Sequence, residues 1–156
     1  MNLVSSLLEL SHVALDVDAG DKKTLFVHTG AMLEGTSGLS RAQVTESLLA
    51  RERLGSTGLG QAVAIPHGRV KGLRSAVGAF LRLRAPIPFD APDHQPVSLV
   101  FVLLVPERAS DLHLQILSEL AQMFSDRELR RQLAAAPNAL SAQRLIVGWQ
   151  THAPKT

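Results

Sequence analysis

The segment 97–105 reads Val-Ser-Leu-Val-Phe-Val-Leu-Leu-Val, and it constrains the fold more than any other stretch of the chain. Apolar residues fill both the odd and the even positions, so a strand made from it must be covered on both faces. It is far too short to span a bilayer as a helix. The chain therefore needs a sheet with material layered above and below it.

Helical patterns on either side supply that material. Asp21 opens a helix that carries Leu25, Phe26, Met32 and Leu33, and Gly35 and Gly38 end it. Ser40 caps a second, striped by Val44, Leu48 and Leu49 and closing near Arg51 and Glu52. Ser110 or Asp111 starts a third that runs to about Phe124. Asp126 starts a fourth reaching Leu133, and a last helix over about 140–149 follows Pro137-Asn138. Short strands are expected at 12–17, at 62–65 (stopped by Pro66) and at 75–84. The segments 55–60 and 86–90 read as turn and loop. Helices and strands mix without strict alternation, which predicts an α/β fold with a mixed sheet flanked by helices on both faces. Residues 1–150 are expected to form one domain, and 151–156 a loose tail.

Composition narrows the function. Aromatic residues are 4% of the chain, too few for a platform on which single-stranded nucleic acid stacks. The formal charge of +2 is no nucleic-acid footprint. The absence of cysteine removes disulfides and thiolate metal sites, and no His-Glu-x-x-His element is present, so neither metal nor cofactor is expected. The N-terminus lacks a basic segment and reaches Glu9 early. With no apolar span, this reads as a cytoplasmic chain without membrane insertion.

The chemistry concentrates around Ala64-Ile65-Pro66-His67-Gly68-Arg69. Pro66 restrains the backbone before His67, and Gly68 is expected to let the chain turn sharply after it, leaving the imidazole at a strand end. Pro-His-Gly by itself is equally a polar turn. His113 falls in the first turn of the third helix, in line with Ile116, Leu117, Leu120 and Phe124, and so faces the protein body. It is either a hydrogen-bonded core histidine or a site residue, and a helix N-terminus favours its neutral form. Arg51 either complements a helix C-terminus or clamps an anion with its planar fork of donors. Gly55, Ser56 and Thr57 add hydroxyls and flexible backbone nearby, but no lysine follows at P-loop spacing. His28 falls off its helix's apolar face, and His12, His94 and His152 look ordinary: strand edge, loop and tail.

The run 49–69, Leu-Ala-Arg-Glu-Arg-Leu-Gly-Ser-Thr-Gly-Leu-Gly-Gln-Ala-Val-Ala-Ile-Pro-His-Gly-Arg, resembles the signature of phosphotransferase-system enzyme IIA proteins. The similarity is to the fructose/mannitol class, and within it to the nitrogen-regulatory type. Further matches are Pro-Ile-Pro-Phe-Asp-Ala-Pro-Asp at 86–93, Val-Phe-Val-Leu-Leu-Val-Pro at 100–106, and His113-Leu114; together they span about 5–148. The resemblance implies the mannitol-type three-layer sandwich. It implies that His67 takes a phosphoryl group from the phosphohistidine of an HPr-type carrier, with His113 as second active-site histidine and Arg51 beside the phosphoryl group. Glu52, Gly55, Ser56, Thr57 and Gly68 match as supporting positions. The chain ends near Thr156 with no IIB or IIC segment attached. That leads to the expectation of regulation through phosphorylation-dependent contacts, with a separate sugar-specific IIB acceptor or a non-phosphorylated binding module as alternatives.

Overall fold

The structure, a computed structural model, describes residues 2–108 and 110–150; the expected tail at 151–156 lies outside the described residues. Strands β1 (Val13–Val17), β2 (Gly58–Gly60), β3 (Val63–Ala64), β4 (His67–Val70), β5 (Val77–Ile87) and β6 (Val97–Pro106) form one open mixed sheet. Helices α1 (Lys22–Leu33), α2 (Arg41–Arg53), α3 (Asp111–Ser125), α4 (Arg127–Ala135) and α5 (Ala139–Val147) flank it.

The apolar run is the central strand β6. It lies antiparallel to β5, which in turn carries β1 in parallel, while β3 and β4 both run parallel to β6. Its side chains divide as strand alternation requires. Val100, Val102 and Leu104 face the layer of α1 and α2, where Leu25, Phe26, Val44 and Leu48 pack. Leu99, Phe101, Leu103 and Val105 face α3, α4 and α5, meeting Ile116, Leu120 and Phe124. The sheet is thus the middle of three layers.

Caps set the helix starts. Asp21 Oδ1 accepts the Thr24 N–H at 2.7 Å, and Ser40 and Gln43 form a reciprocal capping box at the head of α2. Asn138 caps α5 by accepting the Ser141 N–H, and Asp126 caps α4. Each was visible as a short polar residue before an apolar period.

The structure departs from the sequence reading in four places. First, the chain does not turn away at Gly68. His67 begins a parallel strand whose pairing with Leu103 keeps the offset already set by Ala64 with Val100, so β3 and β4 are one path along β6. Pro66 interrupts the ladder because it has no N–H, although its carbonyl still accepts from Leu103. Second, 58–60 pairs with β3 as a short strand, closed by Gln61 and Ala62 at positive φ. Third, β5 continues to Ile87, past Pro86. Fourth, His12 is buried in a 3-10 turn before β1, with Nε2 at 3.1 Å from Thr36 Oγ1.

Candidate functional site

Three elements meet at a pocket of about 530 Å³: the last two turns of α2, strand β4, and the first turn of α3. β4 brings His67, Gly68 and Arg69; α2 brings Ser47 and Arg51; α3 and its cap bring Ser110 and His113. Leu54, Leu103 and Leu114 contribute apolar wall. Among the described residues the lining holds two arginines and no carboxylate, so its electrostatics suit an anion.

His67 stands half-buried at the start of β4. Its Nδ1 lies 2.9 Å from the Ile65 carbonyl oxygen. A carbonyl can only accept, so Nδ1 carries the hydrogen and Nε2 keeps its lone pair. Among the described residues nothing bonds to Nε2, and it is not sealed from solvent. The ring's pKa lies below the ordinary histidine value. Burial is the main cause and the Arg51 charge adds to it, against opposing contributions from the Ile65 hydrogen bond and from Glu52. A neutral imidazole with a free Nε2 is a nucleophile near neutrality.

His113 is held in the complementary form. It occupies the third position of α3, where its Nδ1 accepts the Ser110 N–H at 3.3 Å while its own N–H reaches Ser110 Oγ at 3.4 Å. With Nδ1 accepting, a neutral His113 carries its hydrogen on Nε2 and presents a donor. The two rings thus offer one lone pair and one N–H at the same pocket. Arg51 Nη1 donates to the Gly55 carbonyl at 2.9 Å, which ties one arm of the guanidinium and leaves the others for an anion.

Of the remaining residues singled out from the sequence, Glu52, Gly55, Ser56 and Thr57 do not line the pocket. Glu52, next to Arg51 on the helix, points the other way. Its Oε1 accepts the Thr57 N–H at 3.0 Å and its Oε2 the Thr57 hydroxyl at 2.6 Å. Ser56 Oγ donates to the Phe89 carbonyl at 2.5 Å. Glu52, Gly55, Ser56 and Thr57 therefore frame the loop behind the site. Gly68 does lie at the pocket, for a reason other than a turn: a Cβ there would strike Ser47 Oγ and come within 3.0 Å of the Ser47 carbonyl oxygen. It is the point where α2 is allowed down onto β4.

Ser47, Arg69 and Ser110 were not singled out as site residues. Ser47 stands one turn before Arg51, and the spacing Ser110-x-x-His113 is that of a capping box. Both signals lay in the sequence, but each is common enough to mean nothing until the elements are assembled. Among the described residues, no group of three or more His, Cys, Asp or Glu side chains is placed to hold a metal ion. No helix among them is long and apolar enough to cross a membrane.

The family model for EIIA 2 of the phosphoenolpyruvate-dependent sugar phosphotransferase system matches residues 6–147. The chain belongs to that family. A nitrogen regulatory protein from Pseudomonas aeruginosa is 47% identical over 107 residues, covering 69% of this chain and 70% of that one. The crystal structure of the nitrogen regulatory protein IIA-Ntr from Neisseria meningitidis superposes with a TM-score of 0.88 at 52% identity, over 93% of this chain and 99% of its own. The mannitol IIA protein of Escherichia coli has a TM-score of 0.74 at 20% identity, over 88% and 97% of the two chains, and so shares the fold. The expected mannitol-type EIIA architecture and the family resemblance both hold.

Proposed function

We propose that this EIIA 2 family member is a phosphoryl carrier in which His67 Nε2 accepts a phosphoryl group from the phosphohistidine of an HPr-type protein. One observation carries the reading: a neutral imidazole with a pinned Nδ1 and a free Nε2 opens onto a pocket that also holds Arg51 and His113 and, among the described residues, no carboxylate. The Nε2 lone pair attacks phosphorus, the Nε2–P bond forms, and the donor's N–P bond breaks in line. The donor ring, protonated on its other nitrogen, leaves as neutral imidazole, so no general base is needed. His67 keeps its Nδ1–H on Ile65 throughout.

The phosphoryl group of the product carries roughly one and a half to two negative charges, by analogy with other phosphorylated side chains, on a ring that keeps its Nδ1–H and so bears a positive charge. Arg51 meets them with the free part of its fork, and His113 with its Nε2–H. The similarity to proteins named nitrogen regulatory supports a regulatory output, in which the added charge alters contacts with other proteins. Glu52, Ser56 and Thr57 act here by holding the site's frame.

The test is incubation with enzyme I, an HPr-type protein and phosphoenolpyruvate. The protein should gain one acid-labile, base-stable phosphate, and His67→Ala should gain none. Arg51→Ala and His113→Ala should slow transfer while His67 remains the acceptor. Phosphate on the His67→Ala variant, or none on the wild type, refutes the carrier reading.

A further inference from the structure

Four hydrogen-bonded links lead from the first residue of α1 to the His67 ring. Lys22 Nζ donates to Glu52 Oε1 at 2.9 Å, and the Glu52 side chain is 6% exposed. Thr57 holds the same carboxylate through its N–H and its hydroxyl. The Thr57 carbonyl accepts the Ile65 N–H at 3.0 Å, and the Ile65 carbonyl accepts the His67 Nδ1–H at 2.9 Å.

Lys22 grips the loop from a second side. Its ammonium lies 4.7 Å from the centroid of the Phe89 ring and 3.4 Å from Asp90 Oδ2, and the Phe89 carbonyl is the group that Ser56 Oγ bonds. Both hydroxyl residues of the Gly55-Ser56-Thr57 turn are therefore anchored to residues that Lys22 touches, Thr57 to Glu52 and Ser56 to Phe89.

We propose that Lys22 is a positioning residue for the His67 site: it holds the Glu52 carboxylate in place, and through Thr57 and Ile65 it fixes the tautomer and orientation of the His67 ring. The proposal rests on the carrier reading of His67. Without Lys22, Glu52 is a buried charge with no cation, and such a group either takes up a proton or swings toward water. Either change weakens the hold on Thr57. The Ile65 carbonyl is then free to shift, and the imidazole loses the contact that keeps hydrogen off Nε2. A surface ion pair would have no such reach, but this one joins two elements 30 residues apart behind the site.

The experiment compares wild type, Lys22→Met and Lys22→Arg, each labelled with 15N in the imidazoles and each confirmed as folded. Ring nitrogen shifts are read at a pH where His67 is neutral. Arg51 and Glu52 from α2, Arg69 from β4 and His113 from α3 are the charged and titratable groups beside it, and they are left unchanged. Initial phosphorylation rates are read from the same samples. In Lys22→Met the His67 ring should move from the Nδ1–H form toward a mixture of tautomers, and transfer should slow by about ten- to a hundredfold, the scale of a small misplacement of a reacting group. Lys22→Arg should restore both.

Should Lys22→Met fail to fold, Thr57→Val removes the hydroxyl bond, one of the two by which Thr57 is tied to Glu52, while the N–H bond remains, and the same two changes are expected in smaller measure. A folded variant with wild-type ring shifts overturns the proposal, as does a slowed rate with unchanged shifts. If the wild type takes no phosphate, the carrier reading falls, while the ring shifts still decide whether Lys22 positions His67.

Discussion

Replacing Gly68 with alanine adds one methyl where β4 passes under α2. Gly68 is not among the glycines with positive φ, so its backbone is one that alanine adopts, and as a simple strand position the change would be nearly neutral. The surroundings say otherwise. The new Cβ would fall on Ser47 Oγ and lie 3.0 Å from the Ser47 carbonyl oxygen and 3.1 Å from its carbonyl carbon. Rotating the Ser47 side chain clears the first contact but breaks its 2.8 Å bond to the Arg69 carbonyl, a loss of about 1 kcal/mol. The backbone contacts stay, and α2 must lift, at an overpacking cost of about 1–3 kcal/mol. The sum is roughly 2–4 kcal/mol, which leaves a domain of ordinary stability folded.

Urea denaturation at equilibrium reads that loss directly. Ser47→Ala/Gly68→Ala should recover part of it, since the Oγ contact disappears while the backbone contacts persist. Because Arg51 sits one turn beyond Ser47, lifting α2 also moves the guanidinium from His67, and phosphoryl transfer should slow in Gly68→Ala. A loss below about 0.5 kcal/mol, the range of inconsequential surface changes, would show slack between α2 and β4 and refute the close-approach argument.

The lowered pKa of His67 sets a pH dependence. Between about 6.5 and the folded value the unfolded chain binds the extra proton, so this group's contribution makes stability rise with pH and fall away as pH drops through that window. NMR titration should place His67 below free histidine, with Arg51→Ala moving it up and Glu52→Gln moving it down; shifts of the opposite sign would refute the electrostatic account. Ser110→Ala should cost about 0.5–2 kcal/mol of stability as a lost N-cap. The Ser110 backbone N–H that His113 Nδ1 accepts is kept, so the His113 ring 15N shifts should stay those of the Nε2–H form, and a switched tautomer would mean that the Ser110 side chain sets it. Arg82 Nη1 donates to the carbonyls of Leu133 and Ala136 at 3.0 and 2.8 Å, closing the end of α4. Arg82→Met should therefore speed hydrogen exchange in α4 and the start of α5, by an amount matching about 1.5–3 kcal/mol, and leave phosphoryl transfer unchanged. Wild-type exchange there would refute the cap.

Most of the architecture could be read because it depends on local rules. The run at 97–105 demanded cover on both faces, and α1, α2, α3, α4 and α5 announced their starts through Asp21, Ser40, Ser110, Asp126 and Asn138. What escaped were elements defined by partners. β2 is three residues paired with β3, and β4 follows a proline that ordinarily ends a strand. Each exists because a neighbouring backbone supplies its hydrogen bonds, and no periodicity within three or four residues records that.

His67, Arg51 and His113 were also legible, as residue types in a long family-like run, and their meeting at one pocket is the part that position in the chain could not guarantee. By itself the sequence determined a two-faced central strand and its helical cover, which follow from composition and period, and it offered His67, Arg51 and His113 as candidates through the family-like run. Only the tertiary structure decided which way each side chain serves. It turned Glu52 and Thr57 away from the pocket to carry the frame, and made Gly68 a clearance for α2. It also gave His67 a hydrogen on Nδ1 and His113 a hydrogen on Nε2. The hydrogen bonds behind those outcomes are short in sequence, but the backbone shapes that make them, and the close pass of α2 over Gly68, exist only once the sheet has brought α2, β4 and α3 together.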